Sequence, residues 1–314
     1  NFHELYWLRA VMGISEALYI PSALSLIADW HQGKSRSLAI GIHMTGLYVG
    51  QAIGGFGATV AAIFSWHSTF HWFGIIGIVY SLILVVTLRE NPAHALVKET
   101  PIASGEKKPS LFSGLSVLFS TWAFWIILFY FAAPSLPGWA TKNWLPTLFS
   151  ESLNIPMSEA GPISTITIAF SSFIGVIVGG ILSDRWVQKN IRGRVYTGAI
   201  GLGLTIPALM LLGFGHSFAA VIGAGLLFGI GFGIFDANNM PILCQFVSAK
   251  HRGTAYGIMN MCGVFAGATI TSLLGESMDA GHLGRDFALL AILVFVMLVI
   301  LVTCLRPKTI DMKD

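Results

Sequence analysis

Charge is scarce in this chain. Asp, Glu, Lys and Arg make up 11% of its 314 residues, apolar residues reach 54%, and the mean hydropathy is +0.74. Soluble domains carry about 25% charged residues, so a soluble globular domain is excluded and an all-α membrane protein is expected. Cysteine is scarce as well. Cys244, Cys262 and Cys304 fall in apolar stretches without paired spacing, which excludes a disulfide framework or a Cys-based metal site. The net charge of +3 is small and scattered, so no nucleic-acid partner is expected. No Asn-x-Ser/Thr sequon offers a glycosylation site, and no signal peptide follows Asn1.

Apolar stretches are abundant. A bilayer core takes about 20 helical residues, and nine stretches reach that length: 5–29, 37–64, 70–88, 118–148, 160–182, 196–214, 218–247, 254–277 and 286–305. Neither Ser37–Leu88 nor Val195–Phe235 contains Asp, Glu, Lys or Arg. A turn at Ser65-Trp66-His67-Ser68 divides the first of these runs, and one at Gly213-Phe214-Gly215-His216 divides the second. If the nine spans alternate, fifteen of the eighteen basic residues fall on one side, including Lys34, Arg89, Lys107, Arg192, Arg194, Lys250 and Arg306. By the positive-inside rule that side is cytoplasmic and holds the C-terminus. The polar segment 91–117 reads as a cytoplasmic linker between bundles at 1–90 and 118–314. Three spans precede it and six follow, so an even split places three more spans ahead of residue 1. Glycines recur every four residues at Gly46, Gly50 and Gly54, at Gly225, Gly229 and Gly233, and at Gly263 and Gly267. That spacing lets helix backbones approach closely.

The first span holds Arg9 and Glu16, seven residues apart. Two helical turns put them on one face about 10 Å apart along the axis, with Gly13 between them. Pro21, further along, allows a kink. A charge at the centre of a span costs about 2.5–3.5 kcal/mol on insertion scales, so the pair points to a polar cavity and a functional task. A structural ion pair to a neighbouring helix is the alternative.

Gly180-Ile-Leu-Ser-Asp184-Arg185, followed by Arg192-Gly193-Arg194, resembles the signature loop between helices eight and nine of the major facilitator superfamily. The resemblance implies a major facilitator fold with nine of twelve transmembrane helices present, helices four to twelve. Further residues narrow it: Arg9, Gly13, Glu16-Ala17 and Pro21, then Ala28-Asp29-Trp30 and Arg36, Ala39 and Gly41. With Trp144-Leu145-Pro146-Thr147, Arg252-Gly253 and Asn260, they resemble the anion:cation symporter family of organic-anion transporters. In that family the helix-four Arg binds the substrate carboxylate and the Glu seven residues later carries the coupled proton, which by position means Arg9 and Glu16. The chain departs from the pattern at His31-Gln32-Gly33 and in the polarity of Phe235–Pro241.

Other polar groups inside spans fill out the candidate site. Lys142, beside Trp139, Asn143 and Trp144, offers a cation to an anionic substrate from a helix that Pro137 and Gly138 should interrupt. A lysine snorkelling to the interface is the alternative. Asp236 and Asn239, in a stretch too long to cross straight, suggest a broken or tilted helix with a coupling acid and donors for sugar hydroxyls. Tyr48, Gln51 and Asn260 are further substrate candidates. Tyr19 stands with them as a polar group in a span, and His43 reads as a satisfied interhelical histidine. Asp184, Arg185 and Arg194 suit a gating latch at the cytoplasmic face. No catalytic or metal-binding residue is assigned. A membrane-embedded enzyme would need a metal cluster or an activated nucleophile, and a channel fits the two bundles less well than alternating access does.

The expected function is proton-coupled symport of a small organic anion, such as a hexuronate, aldonate or sialic acid. A neutral-sugar or drug carrier on the same fold is the alternative. The protein is expected to be a monomer in the cell's inner membrane, with the proton as coupling ion and no cofactor.

Overall fold

The computed structural model describes residues 2–30, 36–88, 111–248 and 251–310, and every regular element among them is helical. Residues 91–110 of the expected linker lie outside the described residues, as do Lys34, Arg89, Lys98, Lys107, Lys108, Lys250 and Lys313 among the loop cations. Twelve helices follow in order: α1 Phe2–Trp30, α2 Arg36–Gly54, α3 Gly57–Phe64, α4 Trp66–Thr87, α5 Leu111–Phe119 and α6 Trp122–Leu153. Then come α7 Met157–Lys189, α8 Gly193–Phe214, α9 Phe218–Asp236, α10 Asn239–Cys244, α11 Arg252–Asp279 and α12 Leu283–Cys304. Among the described residues, eight stretches are long and apolar enough to cross a membrane, and they correspond one to one with the second to ninth stretches read from the sequence. With 29 residues, α1 has the length to be the first.

The helix boundaries have local causes. The turn between α3 and α4 is a single residue, Ser65, in the left-handed region at φ 85°. Its hydroxyl accepts from the Ser68 N–H at 3.3 Å, which caps the start of α4. Asn154 ends α6 in the left-handed conformation (φ 52°), with its N–H donating to the Ser150 carbonyl. Leu111–Phe119 at the end of the expected linker is helical.

The chain packs as two compact units. The smaller comprises Asn1–Leu47 and Phe70–Lys107, and the larger Tyr48–Thr69 and Lys108–Asp314, so the second span is shared between them. In the smaller unit the Tyr19 ring of α1 lies 5.7 Å from the His43 ring of α2. His43 departs from the sequence reading: its Nε2 is buried without a hydrogen-bond partner.

In the larger unit α9 packs between α7 and α8. Gly225, Gly229 and Gly233 form the seam with α7, where they face Thr167, Ser171 and Ser172. A Cβ on Gly233 would lie 2.9 Å from the Val176 nitrogen and 3.0 Å from the Gly175 Cα, so only glycine permits this approach of two backbones. The Thr59 hydroxyl donates to the Ser158 carbonyl at 2.6 Å and ties α3 to α7. Phe124, Tyr130, Phe149, Phe228, Phe235 and Phe287 are the largest fully buried side chains of the core.

This seam is testable. Gly233→Val should lower the unfolding temperature in detergent, at a cost of about 1–3 kcal/mol for overpacking. Gly223→Ala, whose Cβ would meet nothing within 4 Å, should leave it unchanged. Equal stability of the two variants would contradict the packing described.

Candidate functional site

The seventh span breaks where its sequence turns polar. Helix α9 ends at Asp236, Ala237 and Asn238 form a turn, and α10 resumes at Asn239. Pro241 lacks an N–H, so the Ala237 carbonyl has no helical donor from that position. The turn is held by its own side chains. Asn238 Nδ2 donates to the Ile234 carbonyl at 2.7 Å, and Asn239 Nδ2 donates to Asp236 Oδ1 at 3.1 Å. Asn238 and Asn239 are buried, and each leaves its side-chain oxygen without a partner. Asp236 is the last residue of α9, and the buried amides of Asn238 and Asn239 follow it directly.

Lys142 approaches this carboxylate from α6. The helix runs unbroken through Pro134, Pro137 and Pro146, a correction to the interrupted helix expected there. The lysine ammonium lies 4.8 Å from the centroid of the Trp139 ring, within cation–π distance. That ring fits against α11 only because residue 267 is glycine, where a Cβ would stand 2.5 Å from ring atoms. One turn on, Asn143 Nδ2 donates to Thr271 Oγ1 at 2.8 Å and Trp144 Nε1 donates to the Thr271 carbonyl at 3.1 Å. Lys142 is thus carried on a section of α6 pinned to α11 on both sides.

Charge converges on Asp236. Its carboxylate is in Coulombic range of Lys142 and of the tyrosines Tyr48, Tyr130 and Tyr256. Tyr130 is fully buried, its ring edge-on to Phe235 at 5.1 Å, and its hydroxyl has no hydrogen-bond partner. Tyr256 is exposed, with its ring 6.5 Å from Phe131. The structure therefore brings together Lys142, Asp236, Asn239 and Tyr48 from the sequence candidates and adds Tyr130, Tyr256 and Asn238. Tyr256 could have been found, since it lies four residues before Asn260 on the same helical face. Tyr130 sits in an apolar run and gave no such signal.

The remaining candidates stand apart. Gln51 is half-buried and Asn260 exposed, and among the described residues neither makes a hydrogen bond. Arg9 and Glu16 are exposed on α1, as is every residue from 3 to 19, so exposure does not single out a face of that helix. A Cβ on Gly13 between them would meet nothing within 4 Å. Asp184 and Arg185 are exposed near the end of α7, with no ion-pair or hydrogen-bond partner among the described residues. Arg194 is bound instead to backbone, donating from Nη1 to the carbonyls of Pro241 at 3.2 Å and Ile310 at 2.9 Å.

His67 and His71 stand one turn apart at the start of α4. The His67 ring stacks on Trp66 at 3.5 Å. No group of three or more His, Cys, Asp or Glu able to hold a metal occurs among the described residues. An open cleft of about 450 Å³ at the junction of α11 and α12, lined in part by Glu276, His282 and Arg285, shares no residue with the Asp236 cluster.

Comparison with known proteins places the chain. A family model described as Major Facilitator Superfamily matches residues 1–271 and 181–311. A probable chloroplastic anion transporter 3 of Oryza sativa subsp. japonica is 26% identical over 306 residues, covering 91% of this chain and 58% of that protein. The hexuronate transporter of Bacillus subtilis (strain 168) is 26% identical over 295 residues, covering 89% of this chain and 67% of that protein. The chain spans half to two thirds of the length of the first curated relatives it matches. Among solved structures, a bacterial homologue of the human lysosomal transporter Spinster, inward-facing and occupied, superposes with a TM-score of 0.64. It is 16% identical and covers 90% of this chain and 72% of that one, a likeness that speaks for the fold. With an all-helical fold, membrane-spanning stretches and a family match along most of its length, this chain belongs to the major facilitator superfamily.

Proposed function

We propose that the protein is a secondary active transporter that moves a small organic anion together with a proton. Sugar acids such as a hexuronate, an aldonate or a sialic acid are the expected substrates. One observation carries the reading: Lys142, held over Trp139, lies within electrostatic range of Asp236, which accepts a hydrogen bond from Asn239 inside apolar spans. A cation attracts a carboxylate, and amide groups suit the hydroxyls of a sugar. Anion and hexuronate transporters among the relatives support the same substrate class. The protein is read as a monomer in the inner membrane, and the distribution of loop cations is the ground for placing its C-terminus in the cytoplasm.

The coupling reading assigns substrate binding to Arg9 and proton carriage to Glu16. A substrate carboxylate docked on Arg9 offsets the charge that favours ionised Glu16, so substrate and proton each favour the other's binding. The loaded site then carries no unpaired charge into the membrane, and the protein can change its facing. A monoanion with one proton moves electroneutrally, while each further proton adds about 2.3 kcal/mol per 100 mV of membrane potential. Asp236 is the second candidate for the proton. A neutral-sugar or drug carrier is the competing reading of the same fold, with no observation in its favour.

Uptake into proteoliposomes by the protein expressed from its native reading frame separates these readings. Under an inward proton gradient, labelled glucuronate should accumulate, with other sugar acids competing and neutral glucose not. Competition by glucose alone would favour the neutral-sugar reading. Glu16→Gln should abolish the dependence on the gradient while substrate exchange persists. If instead only Asp236→Asn abolishes it, the coupling role belongs to the break in the seventh span. Lys142→Gln should raise the KM for glucuronate at least tenfold, in line with the loss of a charge-assisted hydrogen bond worth about 1.5–3 kcal/mol. An unchanged KM would remove Lys142 from the substrate site.

A further inference from the structure

Helix α10 has six residues, and its two ends face different tasks. At its start, Asn239 is bonded to Asp236 in the polar cluster. Just past its end, Gln245 is 2% exposed, and its amide spans two segments far away in sequence. Gln245 Nε2 donates to the Ile191 carbonyl in the α7–α8 connection at 3.0 Å and to the Thr309 carbonyl in the C-terminal tail at 3.2 Å. The Thr309 hydroxyl donates back to the Gln245 carbonyl at 3.4 Å. Arg194 adds a second tie, one nitrogen serving both Pro241 of α10 and Ile310 of the tail. Arg192 anchors the same region by donating to the Val302 carbonyl and lying over the Tyr196 ring at 4.9 Å. Leu305 and Pro307 are buried, so the tail is packed down before it reaches these bonds.

We infer that the C-terminal segment Leu305–Ile310 is a clasp on α10, with Gln245 and Arg194 as its positioning residues, and that it sets the placement of Asn239 and Asp236. The physical ground is the break itself. With Ala237 and Asn238 turned out of the helix, the start of α10 is joined to α9 through the turn's bonds to Gly233, Ile234 and Asp236, and the bonds at its far end fix its other end. A six-residue helix spans about 9 Å, short enough to carry a displacement from the tail to Asn239 as one rigid piece. Arg194, read from the sequence as a gating residue with Asp184 and Arg185, also serves this clasp. A bare capping role would need only the carbonyls next to the helix end. The observed bonds reach two remote segments and converge on the piece that carries the site.

The effect on transport rests on the proposed substrate role of Asp236 and Asn239, whereas the clasp does not, so two readouts are needed. Hydrogen–deuterium exchange of the Ile242 and Gln245 amides should quicken roughly tenfold in Gln245→Met, which removes two of these hydrogen bonds, and on deletion of Lys308–Asp314, which removes three. The deletion keeps the buried Leu305 and Pro307, so the two variants guard each other against misfolding. Amides of the α7–α9 seam should exchange as before. In uptake assays both variants should raise the KM severalfold with a smaller change in kcat. Unchanged exchange at α10 in both variants would overturn the clasp, as would faster exchange spread through the whole larger unit. Faster exchange at α10 with an unaltered KM would overturn its influence on the site. Absence of uptake by the unaltered protein would instead contradict the transport reading, with the exchange result still deciding the clasp.

Discussion

An ammonium group and a carboxylate within electrostatic range of one another inside apolar spans impose a severe constraint on everything around them. Neither is tolerable against hydrocarbon, and each must find water, a ring face or an amide. Lys142 has the Trp139 ring, and Asp236 has Asn239. The surrounding architecture follows from that need. Glycine at 267 admits the tryptophan, Thr271 pins the flanking turn of α6, and the break after Asp236 turns the amides of Asn238 and Asn239 inward. The glycine seam between α9 and α7 then keeps the broken span in place although its continuity has been given up.

That distribution of rigid and interrupted segments suits a carrier. Helices α7, α8 and α9 are joined backbone to backbone, with little room for adjustment. The variable elements are short: α10, the turn before it, and the tail that grips it. A polar centre built on a broken helix can change its bonds with ligand or proton while the scaffold stays packed.

Much of this was legible in the sequence, for reasons that can be named. The scarcity of charge and the length of the apolar runs dictated membrane helices, because no other use of such segments hides both side chains and backbone. The Gly225, Gly229 and Gly233 spacing identified a seam, though not its partner, since spacing says nothing about which helix approaches. Polar residues at 236–239 announced the break for want of any other way to satisfy them in lipid. What escaped were contacts between distant segments. Tyr130 reads as one more aromatic in an apolar run until the fold sets it by Asp236. Pro137 argues for an interrupted α6, yet packing against α11 holds the helix whole. Arg194 belongs to a motif whose pattern suggests a latch, while at the start of α8 its partners are carbonyls 47 and 116 residues away. His43 seemed bound to be satisfied, and its Nε2 is not.

The central claim is that the Asp236 carboxylate lies in a chamber open to water and to an anionic substrate. Infrared difference spectroscopy on the reconstituted protein addresses it directly, with the carboxyl band assigned by its loss in Asp236→Asn. The account predicts that this band titrates with bulk pH and shifts when glucuronate is added. A band indifferent to both would place Asp236 in a sealed structural pair and contradict the account.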